Sequence, residues 1–179
     1  MKSKLISILS LFIVLTSCKN KEESQPVETP AKAVENKFTI TLEAKVIKDD
    51  AFHIYYSEDG SQNFTEDKSV WVEFKGNPNP QKIKFELPEN IYPTMLRLDL
   101  GTNKDQENIE FINLNLKYFN STKDMKWGDF LTYFRPNELV TGLETNLIKP
   151  IKKDPYVGPS FFPMDAMKPM LENFGKSNK

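Results

Sequence analysis

Cysteine and histidine are almost missing from these 179 residues: there is one of each, Cys18 and His53. A lone cysteine has no second thiol, so no disulfide forms within the chain. One histidine and one cysteine do not make the nitrogen and sulfur ligand set of a usual zinc site, and no metal or other cofactor is called for. A serine-histidine-aspartate triad would have to use His53, and no serine sits in a recognisable nucleophile turn. A single histidine on a strand is more often a surface or cross-strand partner than a catalyst. Basic charge is not in excess either, with 24 basic against 25 acidic side chains, which gives no sign of a nucleic-acid partner. Long apolar runs are lacking too. The run from Leu5 to Leu15 falls short of the ~20 residues that a membrane-spanning helix needs.

What the chain does have begins at that short run. Lys2 and Lys4 precede it, and Leu15-Thr16-Ser17-Cys18 closes it, the arrangement of a charged, then apolar, then cleavable leader. These four residues resemble the lipobox of bacterial lipoprotein signal peptides, in which a leucine and two small or polar residues precede the cysteine. The resemblance implies that residues 1–17 are a signal peptide and that Cys18 carries a diacylglyceryl group and becomes the acylated amino terminus. Two or three acyl chains anchor stably where one binds a bilayer only marginally. The following Lys19-Asn20-Lys21-Glu22-Glu23 resembles the signal that carries lipoproteins to the outer face of the outer membrane in some Gram-negative lineages; it also suits a solvated linker. The expected location is therefore the cell envelope, in the outer membrane and on its surface if the second resemblance holds.

Loss of residues 1–17 would remove two lysines and no acid, leaving 22 basic and 25 acidic side chains and a net charge of −3. Residues 18–36 then read as a flexible tether. They are polar, broken by Pro26 and Pro30, and offer only Val27 and Val34 as bulky apolar groups, too little to offset ordering entropy. Residues 37–174 have the length of one domain with one core, and 175–179 form a polar tail.

The domain reads as all-β, an antiparallel β-sandwich of jelly-roll type with short peripheral helices. Phe38, Ile40, Leu42, Ala44 and Val46 alternate with polar residues and predict one buried strand face. Further strands are expected at 52–57, 70–75, 82–87, 95–100 and 109–118, with turns at Glu58-Asp59-Gly60-Ser61, Gly76-Asn77-Pro78-Asn79-Pro80 and Pro88-Glu89-Asn90. In the sixth strand the apolar parity changes between Phe111 and Ile112, which predicts a β-bulge near Phe111. Beyond Asn120 the pattern is irregular. Residues 127–134 suit one or two helical turns, 139–143 and 147–151 further strands, and 165–174 a short helix with Pro169 in its first turn. Met164, Met167 and Met170, three apart, fit core packing by that helix.

Alternation also points outward. If Phe52, Ile54 and Tyr56 face the core, His53 and Tyr55 face away; by the same parity so do Trp71, Glu73, Arg97 and Asp99. An aromatic ring beside charged hydrogen-bonding groups suits a sugar, whose apolar face packs on the ring while its hydroxyls need donors and acceptors. Trp71, Tyr55, His53, Glu73, Arg97 and Asp99 are thus the candidate ligand-binding residues. The competing reading is structural, with Trp71 under the C-terminal segment and Arg97 paired to Asp99 or Glu73. Trp127, Tyr133 and Phe134 suit the capping of one end of a sandwich. Asp49, Asp50, Glu58, Asp59, Glu66 and Asp67 are calcium-type oxygen donors, but none has EF-hand spacing and solvated turns account for them.

A second resemblance rests on Ile54-Tyr55-Tyr56 before the Asp59-Gly60 turn, Lys82-Ile83-Lys84-Phe85-Glu86-Leu87-Pro88, Leu96-Arg97-Leu98-Asp99 and Ile112-Asn113-Leu114. Together with Phe134-Arg135-Pro136-Asn137 and Asp154-Pro155-Tyr156, these are similar to the small β-sandwich domains found beside bacterial glycosyltransferases, which are themselves like carbohydrate-binding modules. The resemblance implies the fold; it assigns no binding residue, and no catalytic glycosyltransferase region is present. The expectation is a non-enzymatic module whose partner is a glycan or an envelope protein, attached to the membrane through its lipid. A small glycoside-active enzyme using two carboxylates is the third reading.

Overall fold

A computed structural model describes residues 36–176. The expected lipidation point Cys18, the signal stretch 1–17, the tether up to residue 35 and the last three residues lie outside the described residues.

Eleven strands and two helices follow in order: β1 (Thr39–Val46), β2 (Asp50–Ser57), β3 (Ser69–Phe74), β4 (Asn77–Glu86), β5 (Met95–Asp99), β6 (Ile109–Tyr118), β7 (Ser121–Met125), α1 (Trp127–Tyr133), β8 (Phe134–Pro136), β9 (Val140–Thr141), β10 (Leu147–Pro150), β11 (Ser160–Pro163) and α2 (Met167–Lys176). A single 3-10 turn, Glu66–Lys68, leads into β3. The strands pair antiparallel into two sheets. One runs β4-β1-β6-β10-β9, with β7 also on β6; the other runs β3-β2-β5-β11-β8. Hairpins β2–β3, β6–β7 and β9–β10 stay within a sheet, and the other connections cross between sheets, as a jelly roll does. The fold is the expected β-sandwich.

Period-two alternation explains the layers. Ile40, Leu42, Ala44 and Val46 of the first sheet and Phe52, Ile54, Leu96 and Leu98 of the second are fully or almost fully buried and belong to one contiguous core. Each of these side chains except Ala44 contributes about 1.5–3 kcal/mol on leaving water, against the entropy of ordering it. The parity change in β6 is a bulge. Glu43 pairs with Asn113 but Ala44 pairs with Phe111, so Ile112 is the inserted residue, and both Phe111 and Leu114 remain buried.

Three expectations need correction. The turn expected at 76–80 is strand from Asn77, because β4 is an edge strand, where the missing N–H of Pro78 or Pro80 need not serve a neighbour on the open side. The stretch after Asn120 holds β7, β8 and β11, which no alternation announced; these are short strands, and Ser121–Met125 is mostly polar. The strand expected over 139–143 shrinks to Val140–Thr141. The two helices stand close to where they were expected. In α1, Phe130 is buried and stacks on Phe134 at 4.6 Å, while Trp127 Nε1 donates to the Leu143 carbonyl at 3.0 Å. In α2, Met167 and Leu171 are buried, whereas Met164, just before it, is exposed.

Candidate functional site

The second sheet brings the candidate residues together. His53 of β2 lies opposite Trp71 of β3 on one side and Asp99 of β5 on the other, and Asp99 lies opposite Ser160 of β11. One row across the outer face is therefore Trp71, His53, Asp99, Ser160. The next row holds Ser69, Tyr55 and Arg97, and the row on the other side pairs Glu73 with Ala51. Alternation had given each residue its direction; strand pairing makes them neighbours.

Within these rows the rings pack on one another. Trp71 stacks on His53 with centroids 3.8 Å apart and planes 21° apart, and Tyr55 leans on the other part of the imidazole at 3.9 Å. Arg97 sends two hydrogen bonds to the Asp99 carboxylate, at 2.9 and 2.8 Å. Its guanidinium also lies over Tyr55 at 4.9 Å and over Phe162 at 4.6 Å. Arg97 thus has the structural partner Asp99 that the competing reading foresaw, and it stiffens the face on which Asp99 stands.

His53 is corrected as a direct ligand contact. It points outward, but Trp71 and Tyr55 cover it to 1% exposure. Its Nε2 has no hydrogen-bond partner and sits 3.8 Å from a Glu66 carboxylate oxygen. Burial pulls its pKa below the ordinary histidine value; Glu66 and then Asp99 oppose that pull, and Arg97 adds to it. The ring acts as a neutral floor beneath Trp71. Glu66, from the 3-10 turn, accepts the Tyr55 hydroxyl hydrogen bond, which is the main reason its carboxyl is held below the usual range. Burial in turn pushes the Tyr55 hydroxyl up to about 12, with the Glu66 bond contributing.

Trp71 itself is 49% exposed, on the edge strand β3. Against it opens a pocket of about 220 Å³ lined by Trp71, Asp99, Ser160, Thr102 and the segment Tyr156-Val157-Gly158. That segment packs its backbone on the β5 exit: a Cβ on Gly158 would lie 1.9 Å from the Gly101 carbonyl oxygen, so glycine is required there. Val157 is 57% exposed, and the Tyr156 hydroxyl is buried without a partner. Burial, helped by the nearby Asp50 charge, raises the Tyr156 pKa. Trp71 and Asp99 of the expected set line this pocket. Glu73 lines an adjoining open groove of about 600 Å³, together with Asp49, Asp50, Phe74, Lys75 and Asn103; Ala51 and Thr102 border both.

Sequence reasoning missed Tyr156, Val157, Ser160 and Thr102. The first two lie in an aperiodic loop and Thr102 just past a strand end, where no pattern gives a direction; Asp154-Pro155-Tyr156 stood out only through resemblance. Glu66 was noted as a turn acid and not as the partner of Tyr55. Among the described residues no group of three or more histidine, cysteine or acidic side chains is placed to hold a metal ion, and no helix is long and apolar enough to cross a membrane. No protein-family model, curated protein or solved structure matches this chain.

Proposed function

We propose that this protein is a lipid-anchored, non-enzymatic binding module of the cell envelope and that its ligand is a glycan. The observation that carries the reading is the exposed indole of Trp71 forming one wall of a small pocket whose lining also includes a carboxylate (Asp99) and the exposed Thr102, with Ser160 almost fully buried. A pyranose ring has an apolar face that packs on an indole and a rim of hydroxyls that both donate and accept, so the pocket matches it in size and chemistry. The floor is rigid, with Trp71 held on His53 and Asp99 on Arg97, which lowers the ordering cost of binding. A binding role also suits the imidazole: it is covered and biased towards the neutral form, with no access to a bound sugar.

Binding of the purified full chain across a broad glycan panel tests the reading, with Trp71→Ala as the comparison. Selective binding that vanishes in the variant, while its thermal unfolding stays cooperative, is the expected result. Binding to no glycan, with crosslinking to one defined envelope protein, would replace the glycan by a protein partner. The anchor rests on the lipobox at Cys18 and has a separate test. Labelled palmitate should enter the wild type and not Cys18→Ala, and equal labelling of both would remove the lipoprotein claim.

A further inference from the structure

The charge of the groove narrows the ligand class, an inference that rests on the glycan reading. The Trp71 pocket and the adjoining groove share Ala51 and Thr102 as lining residues, so a ligand longer than one sugar unit seated on Trp71 would reach the groove beside it. Its charged groups do not cancel. Arg97 is spent on Asp99 through two hydrogen bonds, and Lys75 is spent on Asp49 at 2.6 Å. The groove is lined by three carboxylates, Asp49, Asp50 and Glu73, against the single ammonium of Lys75, which interacts first with Asp49 and also with Glu73. The Asp50 carboxylate takes only uncharged donors, namely the backbone N–H groups of Ala51, Thr102 and Asn103 and the Gln106 amide. Glu73 stands exposed on β3, two residues along from Trp71 on the same face.

We infer that the cleft takes an oligosaccharide carrying free amino groups, with a sugar face on Trp71 and an ammonium beside Glu73, and that it rejects polyanionic glycans such as uronates. A uronate placed there would bring its carboxylate towards three lining carboxylates, Asp49, Asp50 and Glu73, which outnumber the one lining ammonium, Lys75. An amino sugar reverses that sign and keeps the hydroxyl rim that Asp99 and Thr102 address.

The test is calorimetric titration of the full chain with three oligomers of equal length: glucosamine, neutral glucose and a uronic acid. The amine-bearing oligomer should bind roughly tenfold or more tighter than the uronate at low salt, with the neutral one between them, and the spread should shrink in 0.5 M salt. Glu73→Gln should narrow the gap between the amine-bearing oligomer and the uronate several-fold. A uronate or neutral oligomer that binds as tightly as the amine, or a gap untouched by Glu73→Gln, overturns the charge assignment and leaves glycan binding standing. Binding by none of the three, together with silence across the wider panel, removes the glycan reading itself.

Discussion

The two sheets of this sandwich share one core and one alternation rule, yet their outer faces are chemically opposite. The face of β3-β2-β5-β11 carries Trp71, His53, Tyr55 and Phe162 around Arg97. The face of β4-β1-β6-β7 carries Lys82, Glu43 and Asn113 in one row and Lys84, Thr41, Asn115 and Asp124 in the next, with no ring among them. A polar hollow of about 380 Å³ lies there, but Asp124 already accepts the Asn113 and Asn115 amides at 2.6 and 3.1 Å. An antiparallel sheet needs only polar side chains on its solvent side. The rings on the other face therefore exceed what the fold requires, and that excess is what the proposed glycan reading rests on.

Paired substitutions sharpen this contrast. The largest effect is expected from Trp71→Ala, which should weaken glycan binding by about 100-fold or more, as loss of a central aromatic anchor does. Lys82→Ala on the opposite sheet should leave affinity unchanged in the same titration. Equal losses from both would erase the distinction between the faces. Next, Asp124→Ala removes the acceptor shared by two amides and leaves the buried Asn113 amide unpaired, for an expected cost of about 1–3 kcal/mol in urea unfolding. Its glycan affinity should match wild type, since the bond belongs to the ringless face.

The smallest effect concerns pH. Burial holds His53 below its ordinary value, so the folded protein resists a proton that the unfolded chain takes up near pH 6.5. The stability contributed by the neutral ring is complete above that pH and is lost as pH falls below it towards the lower folded-state value. The melting temperature should therefore decline as pH falls below about 6.5, above the range in which ordinary carboxylates titrate, and His53→Phe should flatten that slope. Parallel curves for the two proteins would place the imidazole elsewhere than under Trp71.

The outward set Trp71, Tyr55, Glu73, Arg97 and Asp99 was legible because alternation in β2, β3 and β5 is unbroken and fixes direction from sequence. Adjacency was not legible, since it depends on pairing between strands that no local pattern encodes. Burial of His53 was missed for a related reason: parity says which way a side chain leaves the backbone, and only the neighbouring strand and turn say what lies over it. Tyr156 and Val157 lie in a loop without period, so the wall they form appears only once Gly158 is seen against Gly101. The bulge at Ile112, by contrast, left a visible change of parity and was legible within a residue.

Fluorescence of Trp71 alone reports whether a sugar seats on its ring. The chain has two tryptophans, and Trp127→Phe leaves the exposed one as the sole reporter. Titration of that variant with the tightest-binding glycan of the panel should give a saturable blue shift, as a sugar face displaces water from the indole, with a midpoint equal to the calorimetric one. Calorimetric binding without any change in Trp71 emission would contradict the account, because the glycan would then be seated away from the ring on which the argument stands.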